Sequence, residues 1–245
     1  MFNLKGKSVL VTGANRGIGL GFIEALLANG ASTIYAAGRD KNALEEVVAL
    51  NPEIIKAIKL DVLDDSDIQS LTQKIESLDV LINNAGIANG CFNTAPNAVE
   101  IAKLEMDTHY FGPLKIIHQC LPLLKQSKQA FIINIASIAA LSNFPSLGPY
   151  SATKAALMSL TQGLRIELAG DNIKAVCVYP GPTDTRLAPG EQMPKATRQS
   201  VAINTFEGIN QGQLDIYPDD FAKAMFTLLE EHPNKLAQTF KEFHI

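Results

Sequence analysis

The chain has 245 residues, 47% hydrophobic and 19% charged, with 17 Gly and 12 Pro. That is ordinary globular composition with enough apolar material for a large core, and it excludes disorder and collagen-like repeats. Its 21 basic and 25 acidic residues leave a formal net charge of −4 with no basic run, which argues against partners of the nucleic-acid or anionic-membrane kind.

From the N-terminus there is no apolar segment followed by a small-residue cleavage site. The longest apolar tract, Ala130–Leu141, is interrupted by Asn134 and Ser137 and falls short of the ~20 residues that cross a bilayer. A cytoplasmic protein is expected. Cys91, Cys120 and Cys177 are widely spaced with no C-x-x-C pair, so neither a disulfide framework nor a metal site is signalled.

In chain order, short β-branched runs mark strands at Ser8–Thr12, Thr33–Ala37, Ile55–Leu60, Val80–Asn83, Phe131–Ile135, Ala175–Tyr179 and Leu214–Tyr217. Helical periodicity fills Gly19–Asn29, Ala43–Leu50, Asp65–Ile75, Ala98–Gln126, Ser151–Leu168 and Gln199–Gln211, then Asp219–Glu231 and Asn234–Phe243. Strands apolar on both faces, alternating with helices, predict an α/β fold: a doubly wound parallel sheet of six or seven strands with helices on both faces. No linker or repeat divides the sequence, so residues 1–245 are expected to form one domain.

The first strand runs into TGANRGIG. Gly13 frees the backbone for a tight turn, Gly17 and Gly19 permit close approach of a pyrophosphate, and the following helix offers free N–H groups. A dinucleotide is the predicted ligand. At the end of the second strand, Arg39 joins Arg16 in a two-cation pocket suited to a 2′-phosphate, favouring NADP(H) with NAD(H) as the other option. Asp40 dissents, unless it caps the next helix.

Tyr150 and Lys154 stand four apart at the start of a helix, on one face. Ser137 lies just past the C-terminal end of the Phe131–Ile135 strand, the edge where such sheets hold ligands. A nearby ammonium would favour phenolate, letting Tyr150 exchange a proton with a carbonyl or alcohol oxygen that Ser137 hydrogen-bonds.

Taken together these motifs resemble the short-chain dehydrogenase/reductase family over nearly the whole chain. TGANRGIG resembles its TGxxxGxG, so Asn15 and Ile18 are implied in cofactor binding with the glycines. Asp61-Val62 resembles its adenine-contacting position, and Asn84-Ala85-Gly86, after Asn83, its NNAG turn. Ser137, Tyr150 and Lys154 fall on its catalytic positions, the last two also meeting the cofactor. Tyr179-Pro180-Gly181-Pro182-Thr183-Asp184-Thr185 resembles its PG motif, implying that Thr183 meets the nicotinamide carboxamide and Thr185 a phosphate. Arg186–Arg198 lies where the family has a mobile substrate lid. One position departs: His109 stands where the fourth catalytic Asn is expected. The main-chain carbonyl there can still hold a relay water, and the ring would add a group titrating near pH 6.5; a packed ring with no catalytic part is the other reading.

The resemblance implies an NADP(H)-dependent oxidoreductase interconverting a small-molecule carbonyl and alcohol by hydride transfer. It also implies Ala98–Gln126 and Ser151–Leu168 as candidate assembly faces for a homodimer or homotetramer, with a monomer, as in some family members, the other option. The alternative is a catalytically weak dinucleotide-sensing or partner-binding protein on the same fold.

Overall fold

Side chains that alternate across buried strands must find cover on both faces, and here they do. The computed structural model describes residues 3–187 and 193–242. Seven strands, β1 (Ser8–Thr12), β2 (Thr33–Gly38), β3 (Ile55–Lys59), β4 (Val80–Asn83), β5 (Ala130–Ile135), β6 (Ile173–Val178) and β7 (Asp215–Ile216), form one sheet. Their order is β3-β2-β1-β4-β5-β6-β7, every pair parallel. The order reverses between β1 and β4, which places the ligand-holding crevice at their C-terminal ends.

On one face Val9, Val11, Ile34, Ile82 and Ile133 pack with Phe22 and Leu26 of α1 (Gly17–Ala28) and Phe206 of α8 (Arg198–Asn210). On the other, Leu10, Tyr35, Leu81 and Ile132 meet Ile116 and Cys120 of α6 (Gly112–Leu124) and Leu164 of α7 (Gly148–Glu167). At about 25 cal/mol per Å² of apolar surface removed from water, these two layers carry the folding drive. The other helices are α2 (Lys41–Val48), α3 (Asp65–Gln69), α4 (Leu71–Lys74), α5 (Ala98–Met106), α9 (Asp220–Glu231) and α10 (Pro233–Glu242).

Two predicted helices are broken. Asp65–Ile75 divides into α3 and α4 because the Ser70 hydroxyl bonds back to the Asp67 carbonyl at 2.7 Å and competes with the ladder. Ala98–Gln126 divides at a π-helical turn, Asp107–Phe111, between α5 and α6. Pro113 lacks an N–H, so the α-helical partner of the His109 carbonyl is missing. Gly112 also brings the helix against Val62, where a Cβ would lie 3.1 Å from its carbonyl oxygen. Elsewhere the ends shift by one to three residues, and β7 shrinks to two. Phe243 lies outside the described residues, as do residues 188–192 of the expected lid. Asp40 does cap α2, accepting from the Ala43 amide at 3.2 Å.

Asp219 fastens the C-terminal helices to the loop after β6. One carboxylate oxygen caps α9 through the Ala222 amide, and the other accepts from the Gly181 amide, both at 2.8 Å. Asp219→Ala removes a cap and leaves a part-buried amide without its acceptor, so urea unfolding should show a loss of about 2 kcal/mol.

Candidate active site

The crevice is a cleft of about 1120 Å³ bounded by the glycine turn, the ends of β2 to β6 and the loop after β6. Gly13 adopts φ 64°, and a Cβ there would lie 2.9 Å from the Ala85 Cα; a Cβ on Gly19 would collide with the Gly13 carbonyl. The turn is thus pressed directly onto the loop after β4. Thr12, which sequence reasoning passed over as a strand residue, locks the two together. Its Oγ1 accepts from the Asn84 and Ala85 amides at 2.9 and 3.0 Å, while Asn84 Nδ2 donates to the Thr12 carbonyl at 2.9 Å. Asn84 therefore builds the cradle.

Asn15, Arg16, Gly17, Ile18, Arg39, Asp61, Val62, Ala85 and Gly86 all line this cleft. Both Arg16 and Arg39 are exposed, and among the described residues neither guanidinium has an ion-pair partner. Across the cleft stand Pro180, Gly181, Thr183 and Thr185. A Cβ on Gly17 would touch the Thr185 methyl at 3.1 Å, so Thr185 sits against the glycine turn. A bridge between Thr183 and Ala196 ties the loop to the segment before α8.

At the cleft's inner end, Ser137 begins a short 3-10 turn and its Oγ accepts from the Ala139 amide at 3.2 Å. Because α7 starts three residues earlier than its apolar period suggested, Tyr150 and Lys154 both lie within its first two turns. Tyr150 and Ser137 both line the cleft here, and the Ser137 hydroxyl favours ionisation of the phenol. Lys154 Nζ donates to the Ile135 carbonyl at 2.8 Å and lies 5.5 Å from the centre of the Tyr150 ring. The three predicted catalytic side chains do converge.

Their proton affinities differ from the sequence-based expectation. The Tyr150 phenol is pushed up to about 12, chiefly by burial, whereas the nearby Ser137 hydroxyl acts the other way. Burial likewise brings the Lys154 ammonium down to about 8. Desolvation dominates at both groups, and at neutral pH Tyr150 keeps its proton.

His109 is 1% exposed and packs edge-on against the Tyr150 ring at 5.4 Å. Nε2 accepts from the Ile87 amide at 3.1 Å and therefore carries no hydrogen. Nδ1 lies 2.7 Å from Thr153 Oγ1, whose own proton goes to the Tyr150 carbonyl at 2.8 Å. The tautomer follows: Nδ1 donates to Thr153 and the ring is neutral. Burial and the Lys154 charge hold it well below the usual imidazole value. This corrects the expected titration near pH 6.5, since a second ring proton would face the Ile87 N–H. One turn earlier, buried Glu105 accepts from the Asn89 amide at 2.9 Å. Thr153 and Glu105 were missed because their side-chain partners, His109 of the π-helical turn and Asn89 of the loop after β4, come from other elements; a carboxylate in the apolar stripe of α5 was the available signal.

His109→Asn should leave the pH dependence of any activity unchanged between about pH 5 and 8. In the wild type, the His109 ring resonances should show no titration over that range. A ring midpoint near 6.5 would contradict the hydrogen-bond assignment.

Comparison with known proteins agrees with this geometry. The family model for short chain dehydrogenases matches residues 7–195. A probable short-chain type dehydrogenase/reductase, VdlC, of Helicobacter pylori is 34% identical over 71% of this chain and 64% of its own length. The SDR family protein 7-like dehydrogenase/reductase of Anopheles gambiae is 32% identical over 76% and 62%. The chain thus spans less than two-thirds of those two relatives. The ketoacyl reductase HetN of Nostoc is 29% identical over 100% of this chain and 92% of that protein. A Burkholderia cenocepacia short chain dehydrogenase solved with NADP superposes with a TM-score of 0.90 at 30% identity, covering 98% and 99% of the two chains. A Burkholderia phymatum homologue solved with NAD gives 0.82 at 25%, covering 96% of each. With its glycine turn, its parallel sheet and its Ser137–Tyr150–Lys154 cluster, this chain belongs to the short-chain dehydrogenase/reductase family.

Proposed function

We propose that the chain is an NADP(H)-dependent oxidoreductase that interconverts an uncharged carbonyl and its alcohol, with Tyr150 as the acid–base group. The observation that carries this reading is the clustering of Ser137, Tyr150 and Lys154 on one wall of the cleft, with Lys154 held by the Ile135 carbonyl 5.5 Å from the centre of the phenol ring.

The residues present fit a dinucleotide. Gly13, Asn15, Gly17 and Ile18 of the glycine turn line the cleft at the N-terminus of α1, and Arg16 and Arg39, without ion-pair partners among the described residues, suit a 2′-phosphate. The same choice is supported by the NADP-bound relative, with the NAD-bound one marking the alternative. When bound, the cofactor supplies or takes the hydride. In reduction Tyr150 donates its proton to the carbonyl oxygen as negative charge develops there, and the Ser137 hydroxyl stabilises that charge. In oxidation the phenolate takes the proton back. Lys154 keeps a positive charge under the phenol, and His109 positions Tyr150 through ring contact and the Thr153 link.

Ile87, Leu104, Ile138, Phe144 and Leu147 line the substrate side, which favours an apolar carbonyl compound. The relative named a ketoacyl reductase supports carbonyl chemistry. Exposed Val99, Phe111 and Ile166, on the helices that the family uses for assembly, support a homo-oligomer. Arg186 and Met193, in the segment proposed as a lid, border the same cleft.

A panel of aldehydes, ketones and quinones assayed with NADPH tests the reading. NADPH that binds and is oxidised by none of them would favour the dinucleotide-sensing alternative. Tyr150→Phe should cut turnover by roughly 10²–10⁴ while leaving the NADPH dissociation constant nearly unchanged. Arg39→Ala should weaken NADPH by roughly tenfold or more and leave NADH almost unaffected. Because the phenol is held high, alcohol oxidation should accelerate as pH rises from neutrality, since the phenolate it requires is scarce there.

A further inference from the structure

A buried charge is stable in a protein interior only when an opposite charge accompanies it. Lys154 is 5% exposed, and its Nζ donates to the Ile135 carbonyl, a neutral acceptor. Glu105 is 1% exposed; its Oε1 is taken by the Asn89 amide, and its Oε2 is buried with no hydrogen-bond partner. Glu105 is on α5 and Lys154 on α7, two helices that pack on each other, and the two groups interact electrostatically. We propose that Glu105 is a positioning residue of the active site: its buried carboxylate is the counter-charge that keeps Lys154 an ammonium beneath Tyr150. The inference deepens the oxidoreductase reading and rests on it for the meaning of the Lys154 charge.

The neighbouring groups leave this role to Glu105. From the π-helical turn, His109 presents a neutral ring. From β6, Cys177 also bears on Lys154, and more strongly than Glu105 does, but burial pushes its thiol up to about 11, so it carries no charge near neutrality. Tyr150, on α7 itself, holds its proton. Lys103 and Asp107, on the helix that carries Glu105, are exposed. The Glu105 carboxyl is itself raised by burial, and Lys154 pulls it back. Each group thus sustains the charged form of the other.

Glu105→Gln separates charge from structure, because the amide oxygen can still accept from Asn89 while the charge is lost. Lysines labelled at Cε give a direct NMR reading of the Lys154 midpoint, assigned by the resonance that disappears in Lys154→Met, with no need for substrate. The Lys154 midpoint should fall by about half a pH unit or more, a threefold change in its proton equilibrium. The alkaline limb of carbonyl reduction should move down with it. Cys177→Ala should leave the midpoint in place. A midpoint in Glu105→Gln within about two-tenths of a unit of the wild type overturns the proposal, even if stability or KM changes. Should the glutamine variant fail to fold, Glu105→Met removes the charge without burying an unpaired amide and is read the same way. A shifted midpoint in a protein that reduces no carbonyl supports the Glu105–Lys154 pairing and overturns the oxidoreductase reading instead.

Discussion

The site depends on α7 being held in fixed register against β5. Ser137 follows the end of that strand, while Tyr150 and Lys154 ride on the helix, so a slip of either element would part the hydroxyls. Two fasteners prevent it. Near the C-terminal end of β5, Lys154 binds the Ile135 carbonyl; two helical turns along, Thr161 accepts from Asn134 Nδ2 at 2.9 Å, and Asn134 in turn accepts from Asn83 of β4 at 2.8 Å. The second chain of bonds lies wholly in the interior, where unpaired polar groups cost most. Specific polar contacts thus fix a register that apolar packing alone would leave looser.

The same burial governs the chemistry. Taking the phenol out of water raises its proton affinity, and taking the ammonium out of water lowers its own. The site that results holds a proton on the tyrosine and a marginal charge on the lysine at neutral pH. In the proposed carbonyl reduction, Tyr150 would then serve as a proton donor to the developing alkoxide without prior rearrangement. Keeping it so requires the surroundings to be either neutral, as the His109 ring is, or compensating, as a carboxylate would be.

Much of this was legible before any coordinates because the decisive groups are local in sequence. The glycine spacing, the four-residue offset of Tyr150 and Lys154, and a serine just past a buried strand each follow from the geometry of one element or turn. Thr12, Glu105 and Thr153 were not legible, nor was the bond from Asp219 to the Gly181 amide, since each depends on a partner well away along the chain. The single long helix predicted over Ala98–Gln126 failed for a different reason. Its apolar period runs unbroken through the π-helical turn, and periodicity ignores the N–H that Pro113 lacks.

Position 109 shows why a departure from a motif need not remove what the motif provides. The fold asks two things of a side chain there: an acceptor for the Ile87 amide and a donor toward Thr153. A carboxamide has one of each, and so does a neutral imidazole, whose two nitrogens divide the tasks between them. The carbonyl of residue 109 is a main-chain group, and the proline that withholds its helical partner lies four residues further on. What the imidazole adds is an edge-to-face ring contact with Tyr150; what it must not add is a charge, and the Ile87 amide ensures that it does not.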